Sequence, residues 1–187
     1  MTMELSSAIY SRRAIRAFSP EPVGADEIDQ LIQAAIQAPS SMGLEPWAFV
    51  VVEGAAKLKK FSDDAKRYYA PHGISESASS RVRAMLADPN LNIFHDAPSL
   101  VVICATNDLE QSAEDCNLAA ENLMLAAYAA GLGTCPIGFS RPWLRLPETK
   151  SALGIPAAYI PVFPVVVGHP AETPASHGRK KPVVIRA

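Results

Sequence analysis

The chain is expected to be an α+β protein, with helices around a small mixed β-sheet. Three apolar runs, AFVVVE (48–53), SLVVICATN (99–107) and IPVFPVVVG (160–168), read as strands. Helical periodicity fills much of the sequence between them, and neither an internal repeat nor a linker interrupts it. One domain over residues 1–187 follows.

In chain order, residues 3–13 can form a short first helix. In 26–37, Ile28, Leu31, Ile32, Ala35 and Ile36 recur at helical spacing, and Pro39 ends that helix. The run at 48–53 reads as a buried strand. Residues 55–69 follow as a helix with Lys and Asp on its wet face. The segment 70–80, APHGISESASS, reads as a surface loop, and 81–87 as one more short helix. After the strand at 99–107, Ser112 and Asp115 suggest a capping-box start for a long helix over about 113–130, closed by Gly131. Beyond a polar stripe of Glu114, Asn117 and Glu121, that helix is apolar all round. Such a helix must be covered on every side, so it is expected to lie buried at a homodimer interface. A short helix is expected at 148–153. Pro161 and Pro164 give the strand at 160–168 an edge position or an irregular beginning, and PVVIR (182–186) reads as a strand-like tail.

Composition excludes several function classes. A net charge of −2 provides no basic excess for a phosphate backbone, which argues against nucleic acid as a partner. The longest apolar zone, Leu118 to Phe139, is broken by Glu121, Asn122 and glycines, so no membrane span is expected. The start, MTMELSSAIYSRR, lacks the apolar core of a signal peptide. Cys104, Cys116 and Cys135 have no C-x-x-C spacing and read as reduced core residues of a cytoplasmic protein. His72, His95, His169 and His177 have no metal-ligand spacing, and Ser40 and Ser41 are not in a nucleophile turn.

Four stretches carry the remaining chemistry. SRRAIRAF (11–18) puts three arginines within five positions; it is either a solvated helix end or an anion site whose guanidinium forks suit phosphate oxygens. Arg12 and Arg13 cannot share a helix face, so both can serve one ligand only where the backbone leaves the helix. HGRKKP (177–182) is a polar hinge or a second basic cluster able to meet the first. GLGTCPIGF (131–139) follows a helix, so its G-x-G is not a dinucleotide turn; it reads as a helix end and tight turn, with Gly138 leaving room for a flat ligand. APSSMGLEPW (38–47) is a small, stiff loop between a helix end and an aromatic anchor, Trp47. Scattered cations and small-residue loops, without hydrolytic machinery, suit a protein whose bound cofactor does the chemistry.

SRRAIRAFSPEPV, QAPSSMGLEPWAFVVV, AENLMLAAYAAGLGTCPIGF and VVVGHPAE, in this order, resemble the nitroreductase family of flavin-dependent oxidoreductases over nearly the whole chain. The resemblance implies an obligate homodimer with FMN in each of two interface sites. NADH or NADPH would donate hydride, and a nitroaromatic, quinone or other conjugated small molecule would accept it in a ping-pong cycle. Carried over by position, Arg12, Arg13 and the backbone of Ala14 hold the phosphate and ribityl chain, and Arg16 approaches the flavin N1/O2 edge. Pro39, Ser40, Ser41 and Gly43 of the other subunit edge the ring, and Pro136, Ile137 and Gly138 pass its N5/O4 side. Arg179 and Lys180 complete the phosphate site, with Lys181 the alternative within one residue of register. No side chain is assigned as an acid or base. The family loop usually reads P-S-S-x-N-x-Q-P-W; here Gly43 and Glu45 replace the asparagine and glutamine, and Ala14 replaces a frequent serine. Two alternatives remain: a flavoenzyme of the same fold with another reaction, such as enone reduction, dehalogenation or flavin breakdown, or a non-catalytic flavin-binding dimer.

Overall fold

Strand β2 (Ser99–Ala105) is buried at every residue, and its alternation divides the core in two. Val101, Ile103 and Ala105 join one apolar cluster, while Leu100, Val102 and Cys104 join another. The computed structural model that shows this describes residues 3–72, 83–84, 88–175 and 178–186.

Four strands form the sheet, in the order β1 (Trp47–Glu53), β2, β4 (Ile160–Gly168), β3 (Gly133–Pro136). All their ladders are antiparallel, so the sheet is mixed only through an isolated parallel bridge between Ala14 and Thr134. One face is covered by α2 (Ala25–Ala35) and the long α4 (Glu110–Ala129). The other carries α3 (Ala55–His72) and α5 (Arg141–Leu144), with α6 (Pro147–Ala152) beside α5. Helix α1 (Leu5–Ser11) packs on α4.

Several expectations change. The run at 48–53 is an edge strand with mostly half-buried residues rather than a buried one. The strand at 160–168 lies inside the sheet. Its prolines are accommodated because β3 pairs only with Val165–Gly168, leaving the first half of β4 open on that side. The irregular beginning is present, as the β2–β4 register shifts between Ile103 and Cys104, opposite Phe163 and Pro161. Residues 182–186 form no strand, and Val183 and Ile185 are exposed. Of the helix expected at 81–87, Arg83 and Ala84 are helical, while the rest, and 73–80 of the surface-loop segment, lie outside the described residues. Positions 70–72 of that segment continue α3.

The capping-box reading is corrected too. Helix α4 starts at Glu110, and Ser112 Oγ donates to Asn107 Oδ1 at 2.7 Å. Asp115 turns inward, and its two carboxylate oxygens accept the Ser41 N–H, each at 3.1 Å. Ser40 Oγ accepts the Glu45 N–H at 3.0 Å. These bonds hold a turn in which Met42 and Glu45 take left-handed φ values of 53° and 47°. That conformation costs a non-glycine residue about 1–3 kcal/mol and persists where the surroundings enforce it. Gly43, at φ 65°, occupies the same region, which asparagine also tolerates, so exchanging the family asparagine for glycine keeps the backbone path available. Asp115→Ala is expected to lower the unfolding free energy by about 1.5–3 kcal/mol, because it removes a charged acceptor from a partly buried N–H. Urea denaturation measures this, and Asp115→Asn, which keeps an acceptor, should cost less.

Helix α4 buries Ser112, Asp115, Cys116, Ala119, Ala120, Leu123, Met124 and Ala127 within the chain. Leu118 is 47% exposed, and Leu125 and Tyr128 are only partly buried. One chain therefore covers only part of the helix circumference. Leu5 and Ile9 on α1 and Met42 and Leu44 on the loop are exposed apolar side chains of segments that also pack on α4.

Candidate functional site

The backbone leaves α1 at Arg12, whose φ and ψ are −54° and 134°. This break lets two consecutive arginines face one place. Arg13 folds back on the helix end, its Nη1 donating to Tyr10 O at 2.9 Å and Arg12 O at 2.7 Å. The chain then runs along β3, where Ile15 N donates to Thr134 O at 3.0 Å. This approach requires glycine at 133, since a Cβ there would lie 2.7 Å from Ile15 Cγ1. Further on, Ser19 N donates to His169 O and Ala171 N to Ala17 O, both at 2.9 Å. The arginine segment is thus fixed against the free edge of the sheet.

Beside it lie two chambers with a common wall. The first, of about 550 Å³, is lined by Arg12, Arg13, Ala14, Arg16 and Arg179, with Pro136 and Met124 among its apolar surfaces. Among the described residues, no carboxylate lines it. Glu121 of α4 stands outside, 3.7 Å from Arg12 Nε, and partly offsets that one charge. The second chamber, of about 720 Å³, shares Arg16, Cys135 and Pro136 with the first. It adds Ile137, Gly138, Phe139, Leu91 and Ile93, together with His95 and Arg141. The result is a trough, cationic at one end and largely apolar at the other, with Arg16 at the junction.

Burial, and secondarily the Arg16 charge, push His95 below the usual imidazole range, against a smaller opposing effect of Asp96, so its ring is neutral at pH 7. Burial pushes the Cys135 thiol up, while Arg16 lowers it through its charge and a hydrogen bond. Arg16 therefore borders two uncharged groups. Cys104 and Cys116 are also buried thiols, raised to about 11 and about 12, chiefly by burial. Among the described residues, no group of His, Cys, Asp and Glu is placed to hold a metal ion.

The trough brings together Arg12, Arg13, Ala14, Arg16, Pro136, Ile137, Gly138 and Arg179 as expected from the sequence. Lys180 and Lys181 line neither chamber: only Arg179 of the basic tail reaches the first. Pro39, Ser40, Ser41 and Gly43 line neither chamber of their own chain. His95 and Arg141 are additions. His95 carried no local signal beyond being a histidine, and Arg141 opens a helix too short to show periodicity.

The profile described as the nitroreductase family matches residues 9–169. The chain belongs to that family. Among curated relatives, the FMN reductase [NAD(P)H] of Bacillus subtilis is 31% identical over 184 residues, covering 94% of this chain and 70% of the relative. Among solved structures, an FMN-bound nitroreductase from Bacteroides fragilis superposes with a TM-score of 0.82 at 26% identity, covering 100% of both chains. An iodotyrosine deiodinase bound to FMN and 3-iodo-L-tyrosine shares the fold, with a TM-score of 0.76 at 24% identity, covering 97% of this chain and 98% of that one. The helices and the small four-stranded antiparallel sheet thus belong to the nitroreductase fold. No described helix is long and apolar enough to cross a membrane.

Proposed function

We propose that this protein is an FMN-dependent oxidoreductase that takes hydride from NADH or NADPH and reduces a nitroaromatic, quinone or other conjugated acceptor in a ping-pong cycle. It works in the cytoplasm as a homodimer of single-domain chains, residues 1–187, with FMN in each of two interface sites. The observation that carries this reading is the trough itself: the guanidinium groups of Arg12, Arg13 and Arg179 line one end, a largely apolar slot forms the other, and Arg16 stands between.

The residues present fit FMN. The arginines of the first chamber offer positive charge and N–H donors to a phosphate. In the second, an added Cβ at Gly138 would meet only Arg141 Nη2, at 3.8 Å. Neither a left-handed φ nor packing within the chain demands glycine there, which suits the close approach of a flat ligand. Arg12, Arg13, the backbone of Ala14 and Arg179 hold the phosphate and ribityl chain, with Arg12 contributing less because of Glu121. Arg16 faces the N1/O2 edge, and Pro136, Ile137 and Gly138 lie along the N5/O4 side. Pro39, Ser40, Ser41 and Gly43 come from the partner chain, which accounts for their absence from their own trough.

When bound, FMN supplies a two-electron carrier between the nicotinamide and the acceptor. The chain supplies binding, orientation and electrostatics. At the junction the Arg16 guanidinium meets no counter-charge from the Cys135 and His95 beside it, which are uncharged. Leu91, Ile93 and Phe139 present apolar surface to an acceptor and keep water from it. No side chain is assigned proton transfer.

Charge-assisted hydrogen bonds contribute about 1.5–3 kcal/mol each. Micromolar affinity needs about 8 kcal/mol. A few partly solvated arginine contacts fall short of that, so burying the ring between subunits must supply the remainder. The test is anaerobic mixing with NADH and NADPH. The visible flavin band is expected to bleach with at least one donor and to return on adding a nitroaromatic. A protein that holds FMN but bleaches with neither would instead be a non-catalytic flavin-binding dimer.

A further inference from the structure

Beyond Arg16, the second chamber has a cation of its own. Arg141 opens α5 and lines the chamber beside the bare backbone of Gly138. It is exposed and takes no part in the ion pairs found among the described residues, which join Arg12 to Glu121, Lys66 to Asp63 and Arg67 to Asp64. Tyr69 lies near it, but burial raises that phenol, which therefore carries no counter-charge.

The segment bearing Arg141 is fixed in place. Tyr69 Oη donates to Phe139 O at 2.9 Å, and Arg145 Nε donates to Pro161 O at 3.0 Å. Helix α5 packs on α3 and β4. Among the described residues, no aspartate or glutamate lines the chamber. Its ionisable side chains among the described residues, other than the buried Cys135 thiol, are Arg16, Arg141 and the neutral His95, set against Leu91, Ile93, Ile137 and Phe139. A flat apolar body with an anionic substituent complements that lining. A cation would meet like charge from Arg16 and Arg141.

We propose that this chamber selects conjugated acceptors bearing a carboxylate, with Arg141 as the specificity-determining residue. The proposal rests on the flavoenzyme reading above. A planar guanidinium fork pairs with both oxygens of a carboxylate, which a neutral acceptor of the same shape cannot offer. The phosphates of the nicotinamide donor have the same anionic chemistry, so the experiment separates the two sources.

Full-length FMN-loaded protein is assayed with 4-nitrobenzoate and with its neutral isostere 4-nitrobenzamide. The expected kcat/KM ratio favours the carboxylate by about tenfold, mostly through KM, the scale of one partly solvated charge-assisted hydrogen bond. Arg141→Gln is expected to bring the ratio close to one, and Arg141→Lys to leave it intermediate. Without turnover, titrating benzoate and benzamide onto the oxidised protein, read by perturbation of the flavin band, should show the same preference and the same loss. A wild-type ratio near one overturns the proposal whatever the variants do. So does an Arg141→Gln protein that keeps the carboxylate preference but is reduced more slowly by NADH or NADPH, since the anion is then the donor's phosphate. Absence of bound FMN, or failure of both acceptors to reoxidise the reduced protein, contradicts the flavoenzyme reading itself and removes this inference with it.

Discussion

Leu118→Arg is expected to separate the protein into single chains that have lost their flavin. Leu118 lies near the middle of α4, 47% exposed, an apolar side chain set among the polar residues Glu114, Asn117 and Glu121. Burying a leucine contributes about 1.5–3 kcal/mol, and in a two-fold arrangement every substitution acts twice. Placing a guanidinium in such an interface, even with Glu114 and Glu121 one turn away on either side, adds a desolvation cost on the order of several kcal/mol per charge. If ring burial between subunits supplies most of the FMN affinity, the flavin leaves with the partner. Circular dichroism should show an intact fold, since this side chain contributes little to the chain's own core. Leu118→Ala, which removes apolar area without adding charge, should only weaken association. A Leu118→Arg protein that stays dimeric and yellow would show that α4 does not form the interface.

Arg16→Ala is expected to shift the reduction potential of bound FMN by about 30–60 mV to more negative values. The arithmetic takes one charge-assisted interaction of about 1.5–3 kcal/mol, with about 30 mV corresponding to 1.4 kcal/mol for a two-electron couple. The direction follows from sign: a cation beside the N1/O2 edge favours the negatively charged reduced ring, and removing it favours the oxidised one. FMN should remain partly bound, because Arg12, Arg13 and Arg179 still line the phosphate chamber. Neutral His95 cannot replace the lost charge. Equilibrium reduction against a reference dye measures the shift, and an unchanged potential in the loaded variant would contradict the role given to Arg16.

Much of this site was legible because its parts are local. The arginines lie close to a helix end, and because Arg12 and Arg13 cannot share a helix face, their serving one ligand called for a break such as the one found at Arg12. The residues Pro136, Ile137 and Gly138 are contiguous, so any fold that exposes their backbone presents them together. Contacts made at long range were not legible. Strand β3 reads as a turn because Gly133 and Pro136 suggest one; its pairing comes from β4, and its glycine is required by Ile15 on a third segment. Asp115 has the spacing of a cap, but as a buried carboxylate it takes an N–H from Ser41, far away in sequence. The second chamber combines 91–95, 135–139 and Arg141. None of those segments reveals, by its own pattern, that it meets the others.

The most direct test is sedimentation velocity recorded at both the protein and the flavin absorbance across a dilution series. FMN is expected to travel only with a two-chain species, with one FMN per chain, and to be released as that species dissociates. A single chain that retains FMN after dissociation, or a stable colourless monomer that ignores added FMN, would contradict the account.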